Sequence, residues 1–185
     1  MKKEENAMVY TTDYQSPLGT IFLAADEKGL TGLWLEGQKY YAAQMKKEEC
    51  RQEKTPVLKD TERWLDIYFQ GKEPDFMPAL HPVGTEFQCA VWEILRRIPY
   101  GRTITYGEIA GQLAAQRGVK KMSAQAVGGA VGHNKISIII PCHRVVGSNG
   151  SLTGYAGGID KKIALLKLEK KDMTGFFVPK KGTAL

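Results

Sequence analysis

The chain has 185 residues, a mass of 20.5 kDa, 43% hydrophobic and 25% charged residues. This allows one or two small domains with packed cores and excludes both a disordered chain and a large multidomain protein. The formal net charge of +6 is uneven, since residues 1–83 carry 11 basic and 14 acidic side chains whereas residues 84–185 carry 15 basic and 6 acidic ones. A basic excess serves solubility in many proteins, but here the second half is the part that would attract a polyanion.

Compartment and redox chemistry follow from what the sequence lacks. No apolar run approaches the roughly 20 residues of a membrane span, and the first residues do not form a signal peptide, so we expect a cytoplasmic protein. The three cysteines, Cys50, Cys89 and Cys142, are an odd number without paired spacing. This pattern indicates neither a disulfide framework nor a zinc finger.

The first half predicts a small sheet followed by a helix. Residues 8–14, 19–25 and 29–35 have strand composition and are separated by turn residues, which predicts an antiparallel meander. The charged stretch 40–54 indicates a helix or an exposed linker, and the apolar spacing in 57–69 predicts a helix that stops before Gly71. Three prolines within residues 74–82 then indicate a linker, so we place the domain boundary near residue 83.

The second half predicts a helix-turn-helix. Thr85 with Gln88, and Thr105 with Glu108, have the spacing of capping boxes, which predicts helices from residue 85 to before Pro99 and over 106–116. Ser123 has the position of a cap for a third helix over 124–132, joined to the second by a basic loop.

The third helix, residues 124–132, is unusual for a recognition helix because it carries almost no long polar side chains. It could not read base edges in the major groove, but its small residues permit close approach to a nucleic-acid backbone. A tightly packed core helix is the alternative interpretation.

Candidate chemistry lies at residues 136–146. The apolar stretch 136–140 predicts a buried strand that runs directly into Cys142. A lone cysteine after an apolar run is usually an inert core residue. Here His143 and Arg144 follow at once, and cationic neighbours favour the thiolate, which is the nucleophilic form. Downstream, the pattern predicts a last helix capped by Asp160, with Ile163, Leu166 and Leu168 buried and Glu169 near its end.

The sequence Pro-Cys-His-Arg-Val at 141–145, the upstream Asn134, the Tyr-Gly-Glu start of the helix at 106–108 and the glycine loop 154–158 together resemble one known family. They are similar to the O6-alkylguanine-DNA alkyltransferases, over residues 85–169. The resemblance implies an α+β protein with a ribonuclease-H-like first domain at 1–83 and a mainly helical alkyltransferase domain with a helix-turn-helix at 84–172. Residues 173–185 remain as a tail, which we expect to be a solvated, disordered end.

The resemblance also implies the catalytic residues. Cys142 would take the alkyl group from the O6 atom of guanine in double-stranded DNA. His143 would remove the thiol proton through a water, Glu169 would orient the imidazole, and Asn134 would order the turn. Tyr106 would donate a proton or hydrogen bond to the departing purine.

A second set of residues would contact the substrate or the DNA. The target nucleotide would be flipped out of the duplex while the third helix lies in the minor groove. Family members commonly have an arginine where this chain has Gln125, which still offers hydrogen bonds but no cation. The predicted contacts are Lys121, Ser123, Ala124, Gln125, Arg144, Tyr155, Ala156 and Gly157.

Further expectations are a single-turnover reaction without a cofactor and a monomer when free of DNA. Some family members hold a structural zinc in the first domain, but residues 1–49 contain neither Cys nor His, so we expect no such metal site. Three other interpretations stay open at this point: a non-enzymatic lesion sensor on the same scaffold, a helix-turn-helix transcription regulator with a core cysteine, and a cysteine hydrolase using Cys142 and His143.

Overall fold

The computed structural model describes residues 7–39, 41, 42, 45 and 49–180. Its contacts divide the chain into two compact units, Met1–Val83 and Gly84–Leu185. The first unit contains a sheet and a helix, and the second is mainly helical, which confirms the predicted α+β class. Within the described ranges, no helix is long and apolar enough to cross a membrane.

A four-stranded sheet forms the centre of the first unit, in the order β3-β2-β1-β4. Strands β1 (Val9–Ser16), β2 (Gly19–Ala25) and β3 (Leu30–Leu35) pair antiparallel, which confirms the meander. Strand β4 (Cys50–Gln52) joins the edge of β1 in parallel. The expectation of a helix or linker is therefore wrong for these three residues, because pairing with a distant edge decides their conformation. Residues 40, 43, 44 and 46–48 lie outside the described residues.

Helix α1 (Pro56–Tyr68) packs on this sheet and confirms the predicted helix. The Thr55 hydroxyl accepts a hydrogen bond from the Leu58 backbone N–H at 3.4 Å, and Pro56 occupies the first turn, where its missing N–H costs nothing. The buried side chains of the helix are Leu58, Thr61, Trp64, Leu65 and Tyr68.

The proline-rich segment after α1 is attached to the sheet rather than acting only as a linker. The Leu30 N–H donates to the Ala79 carbonyl and the His81 N–H donates to the Leu30 carbonyl, both at 2.8 Å. Nδ1 of His81 lies 2.6 Å from an Asp26 carboxylate oxygen. The flanking prolines remove donors only at their own positions, so residues 79–81 remain able to pair.

The second unit contains helices α2 (Glu86–Arg96), α3 (Tyr106–Arg117), α4 (Ala124–Gly132) and α5 (Ile159–Leu168). Helices α2, α3 and α4 pack against one another, and strands β5 (Ile104–Thr105) and β6 (Val145–Val146) form a short parallel pair. These helices confirm the predicted helix-turn-helix outline.

The helix starts follow the predicted caps. Thr85 and Gln88 exchange hydrogen bonds of 3.0 and 3.2 Å, and Thr105 and Glu108 exchange bonds of 2.7 and 3.1 Å. The Ser123 hydroxyl accepts from the Ala126 N–H at 3.1 Å. All three N-terminal predictions are therefore confirmed at the level of individual atoms.

Residues 136–140 are buried, but apart from a single bridge residue at Ile136 they form turns and a bend rather than the predicted strand. The Asn134 side chain accepts from the Ile136 N–H at 3.0 Å and donates to the Ile140 carbonyl at 2.7 Å, while Ile138 has a positive φ of 69°. These local bonds satisfy backbone groups that a strand would pair with a neighbour. The strand prediction is wrong because β-branched composition reports burial but not a pairing partner.

Three expectations for the end of the chain also need correction. Gly158, with a φ of 98°, is the N-cap of α5, and Asp160 lies inside the first turn. Ile163 and Leu168 are half-buried, while Leu166 is fully buried as predicted. The start of the tail is not a free end, because residues 173–177 contact the rest of the second unit. Residues 181–185 lie outside the described residues.

Candidate active site

The Cys-His-Arg sequence forms a single 3-10 turn, Cys142–Arg144, between the turns of 136–140 and strand β6. All three side chains are buried, with relative exposures of 6%, 0% and 8%. A 3-10 turn spreads successive side chains around its axis, so Cys142 and His143 do not point to opposite faces as neighbours in a strand would.

The Cys142 thiol is held by Asn134. Nδ2 of Asn134 lies 3.2 Å from Sγ and also donates to the Ile140 carbonyl. Burial raises the pKa of the Cys142 thiol, whereas the Asn134 amide and the positive charge of Lys162 act in the opposite direction. The thiol therefore needs a base before it can act as a nucleophile, and the site already contains groups that stabilise the resulting thiolate.

His143 and Glu169 supply a buried base and its orienting carboxylate. Nε2 of His143 lies 2.6 Å from Oε1 of Glu169, and both side chains are fully buried. Burial lowers the pKa of His143 despite the raising effect of Glu169, so the imidazole is neutral at pH 7. A neutral imidazole that donates from Nε2 to a carboxylate has its acceptor lone pair on Nδ1.

Glu169 is in turn held as a carboxylate. Burial alone would raise its pKa, but hydrogen bonds and charges from His143 and Arg144 hold that pKa below its usual range. Its Oε2 also accepts the backbone N–H of Gly101 at 3.0 Å. The carboxylate at the end of α5 is thus a fixed negative charge beside the imidazole.

Arg144 faces the interior, which corrects the expectation that it contacts DNA. Its Nε and Nη2 donate to the two Glu169 oxygens, each at 2.9 Å, and Nη1 donates to the Ile98 carbonyl at 2.6 Å. Such a two-pronged contact fixes the plane of the carboxylate. The sequence could not show this contact, because Glu169 lies 25 residues further along the chain, at the end of α5.

Lys162 is a site residue that the sequence analysis missed. Its Nζ donates to the Val145 carbonyl at 2.6 Å and to the Thr153 carbonyl at 2.9 Å, and the residue is fully buried. Burial lowers the pKa of Lys162 to about 8. One signal was available: Lys162 lies three and four positions before Leu165 and Leu166, on the buried face of α5.

Two tyrosines lie near the thiol. The Tyr106 hydroxyl donates to the Thr153 carbonyl at 3.3 Å. Burial raises the pKa of both Tyr106 and Tyr155, and a negative charge on Cys142 would raise each further. Both phenols therefore remain protonated at neutral pH and can donate hydrogen bonds. The adjoining loop residues Ala156 and Gly157 are half-buried.

Helix α4 is buried on one side only. Val127, Gly128, Ala130 and Val131 face the interior, and the opposite side carries the exposed residues Ser123, Ala124, Gln125, Ala126 and Gly129. A Cβ atom built on Gly129 would meet nothing within 4 Å, so packing inside the unit does not require glycine there. This exposed surface of small residues does not fit the alternative of a helix buried on all sides.

Basic side chains lie in the connection before α4. Lys120 and Lys121 are exposed. Arg117 is also exposed, and its guanidinium lies 3.6 Å from a Glu86 carboxylate oxygen and 5.5 Å from the centre of the Phe87 ring. The predicted DNA contacts Lys121, Ser123, Ala124 and Gln125 therefore share one exposed region.

The remaining predicted features are simpler. Cys50 and Cys89 are both half-buried, in β4 and α2 respectively. Among the residues that the structure describes, no group of three or more His, Cys, Asp or Glu side chains is arranged to hold a metal ion.

Comparison with known proteins identifies the class. Residues 8–81 match the family model described as "6-O-methylguanine DNA methyltransferase, ribonuclease-like domain", and residues 86–171 match "6-O-methylguanine DNA methyltransferase, DNA binding domain". Together with the buried Cys-His-Glu site, these matches define a DNA alkyltransferase.

Individual relatives are similar over nearly the whole chain. The methylated-DNA–protein-cysteine methyltransferase of Methanosarcina acetivorans is 43% identical over 162 residues, covering 87% of this chain and 98% of the relative. A crystal structure of the Mycobacterium tuberculosis O6-methylguanine methyltransferase matches with a TM-score of 0.74 and 42% identity, covering 88% of this chain and 93% of the other. A Mycobacterium tuberculosis OGT structure in complex with DNA matches with a TM-score of 0.73 and 42% identity, covering 88% and 92%. The chain belongs to the family of methylated-DNA–protein-cysteine methyltransferases, which confirms the predicted resemblance.

Proposed function

We propose that this protein repairs DNA by moving a methyl or other alkyl group from O6 of guanine to Sγ of Cys142. The observation that carries the proposal is the 3-10 turn that holds Cys142 and His143 side by side. On this turn, Cys142 contacts the Asn134 amide and His143 is paired with the buried Glu169 carboxylate. In the transfer, the S–C bond forms as the C–O6 bond breaks, and the electron pair of that bond leaves on the purine. A thioether has no easy hydrolytic exit, so each chain reacts once.

Each site residue has a role that fits its position. Nδ1 of His143 accepts the thiol proton through a water, while Glu169 holds the ring and stabilises its charged form. Asn134 and Lys162 stabilise the thiolate. Tyr106, which stays protonated, donates a hydrogen bond or proton to the departing purine and offsets the negative charge that develops there.

The exposed side of α4 is the proposed DNA interface. O6 of a stacked guanine is out of reach of a buried cysteine, so the nucleotide leaves the stack and enters the site. Gln125 lies in the first turn of α4, where it can hydrogen-bond the base left without its partner. Lys120 and Lys121 contact phosphates, and Tyr155 with Ala156 and Gly157 lines the pocket for the flipped base.

Partner and location follow the same proposal. The substrate is double-stranded DNA that carries O6-alkylguanine, and the protein is a cytoplasmic monomer when free. The lesion-sensor alternative lacks a use for the reactive cysteine. The transcription-regulator alternative leaves the buried His143–Glu169–Arg144 cluster without a role.

The test is the mass of the protein and its peptides after incubation with a duplex that contains one O6-methylguanine. We expect one methyl group per chain, on the Cys142 peptide, and none in Cys142→Ala or with an unmodified duplex. Tight binding to the modified duplex without a mass change would support a lesion sensor instead. Removal of more than one methyl group from the duplex per chain, with no lasting mass change on Cys142, would support a hydrolase.

A further inference from the structure

A short C-terminal segment, residues 173–177, is hydrogen-bonded to the loop that enters the active site. The Leu152 N–H donates to the Phe177 carbonyl at 2.8 Å, and the Phe177 N–H donates to the Gly150 carbonyl at 3.2 Å. Ser151 and Phe177 form an isolated parallel bridge. The C-terminal segment therefore pairs with residues 150–152 in the manner of a very short strand.

Apolar packing holds the C-terminal segment in place. Met173 and Phe176 contact the buried cluster of Val146, Leu152 and Leu166. Leu152 thus belongs to the cluster that the segment covers, and its backbone N–H is also hydrogen-bonded to the segment. Burial of these apolar side chains is favourable, so the packing holds the segment against the cluster.

The glycine at position 150 fits this contact. Gly150 has a φ of 87°, and a Cβ atom built on it would lie 2.4 Å from the Gly175 carbonyl oxygen. A side chain at residue 150 would collide with the backbone of the C-terminal segment, and it would also be strained at this φ. The loop and the segment are therefore matched in shape at their closest approach.

The residue after Leu152 connects the contact to the chemistry. The Thr153 carbonyl accepts hydrogen bonds from both the Tyr106 hydroxyl and the Lys162 ammonium. A shift of the Leu152 peptide would move this carbonyl and, with it, the two groups that face Cys142. Tyr155, two residues further along, would move with the same loop.

We propose that the C-terminal segment is a positioning element of the alkyl-transfer site. By holding Leu152 it fixes the Thr153 carbonyl, which in turn orients the Tyr106 hydroxyl and the Lys162 ammonium. The segment contacts neither Cys142 nor the exposed side of α4 in the contacts described, so it acts on the transfer step and not on DNA binding. This inference rests on the proposed function.

Four variants of the full protein test the proposal. A chain ending at Asp172 lacks the segment, and its matched control is a chain ending at Lys180, which keeps it. Phe176→Ser removes the apolar anchor, and its matched control is Phe176→Leu, which keeps an apolar side chain. For each variant we measure two quantities at a temperature below its unfolding transition. They are the dissociation constant for an O6-methylguanine duplex and the single-turnover rate constant of Cys142 methylation at saturating duplex.

We expect the rate constant of methylation to fall while the affinity for DNA stays the same. Misplacement of a reacting group by about 1 Å costs up to about 100-fold in rate, so we expect the rate constant to fall at least about tenfold in the chain ending at Asp172 and in Phe176→Ser. The dissociation constant should stay within about twofold, and both controls should match the full chain. Hydrogen exchange of the Leu152 amide should be faster in the two impaired variants only.

Other outcomes separate this inference from the proposed function. An unchanged rate constant in Phe176→Ser and in the chain ending at Asp172, with Cys142 methylated in both, overturns the positioning role and leaves the repair function intact. A loss of affinity with an unchanged rate at saturation also overturns it. If the chain ending at Asp172 does not fold, the Phe176 pair decides. If the full chain itself is not methylated, the proposed function fails.

Discussion

Replacement of Lys162 by methionine tests what the buried ammonium contributes to the methylation rate and to the stability of the protein. Burial lowers the pKa of this lysine from 10.5 to about 8, and its positive charge favours a thiolate on Cys142. Methionine is of similar length and uncharged, so Lys162→Met preserves most of the packing of α5. We expect the rate constant of methylation at pH 7 to fall about tenfold or more, because the thiolate loses a nearby cation.

The stability difference between the wild type and Lys162→Met depends on pH. The pKa of Lys162 is lower in the folded state than in the unfolded chain, so between pH 8 and 10.5 the unfolded state holds a proton that the folded state has released. Stability contributed by this group therefore rises with pH across that window. The difference between 10.5 and about 8 corresponds to about 3 kcal/mol over the whole window, most of it reached by pH 10.

Urea unfolding at pH 7 and pH 10 measures this change. The free energy of unfolding of the wild type should rise by about 2–3 kcal/mol relative to Lys162→Met between these pH values. Lys167→Met is the matched control, since Lys167 is exposed on the same helix and should show no such change. If the difference in unfolding free energy between wild type and Lys162→Met is the same at pH 7 and pH 10, the lowered pKa of Lys162 is refuted. If the rate constant of methylation is unchanged, the effect of Lys162 on Cys142 is refuted.

Three further substitutions test the cluster and the DNA interface. Glu169→Gln leaves the Arg144 guanidinium buried without its counter-charge, so urea unfolding at pH 7 should show a free energy of unfolding about 3–5 kcal/mol lower than that of the wild type. This difference in unfolding free energy should become smaller below about pH 4. The reason is that a carboxylate with a lowered pKa contributes stability above its unfolded pKa and loses that contribution as pH falls. Asn134→Ala leaves the Ile140 carbonyl without a buried donor and should cost about 1–3 kcal/mol in the same assay, together with slower methylation. Gln125→Arg should tighten binding to an O6-methylguanine duplex or raise the repair rate; unchanged values for both would contradict the assignment of this position.

Signals confined to a few neighbouring residues predicted the fold well. Thr85 with Gln88 and Thr105 with Glu108 located two helix starts, because a capping box needs only residues that are three positions apart. The same local logic failed at residues 136–140. There the decisive partner is the Asn134 side chain, whose bonds to backbone groups create turns that no apolar pattern encodes.

The candidate site shows a different limit. Cys142 and His143 could be found because the motif places them together, and Glu169 could be assigned only through the resemblance. Arg144 was predicted to contact the substrate or the DNA, which agrees with the usual exposure of arginine side chains. Its inward position depends on Glu169, which approaches from the end of α5 and is visible only in the folded structure.

The buried charges also change how the basic character of the second half should be understood. Arg144 and Lys162 contribute to its excess of basic residues, yet both are interior: Arg144 pairs with the Glu169 carboxylate, and Lys162 donates to the Val145 and Thr153 carbonyls. Arg144, Lys162 and Glu169 together carry one net positive charge, and the net charge of the cluster does not change when the thiol proton moves from Cys142 to His143. Part of the sequence's positive charge therefore stabilises the nucleophile, and the attraction for DNA depends on the exposed lysines and arginines alone.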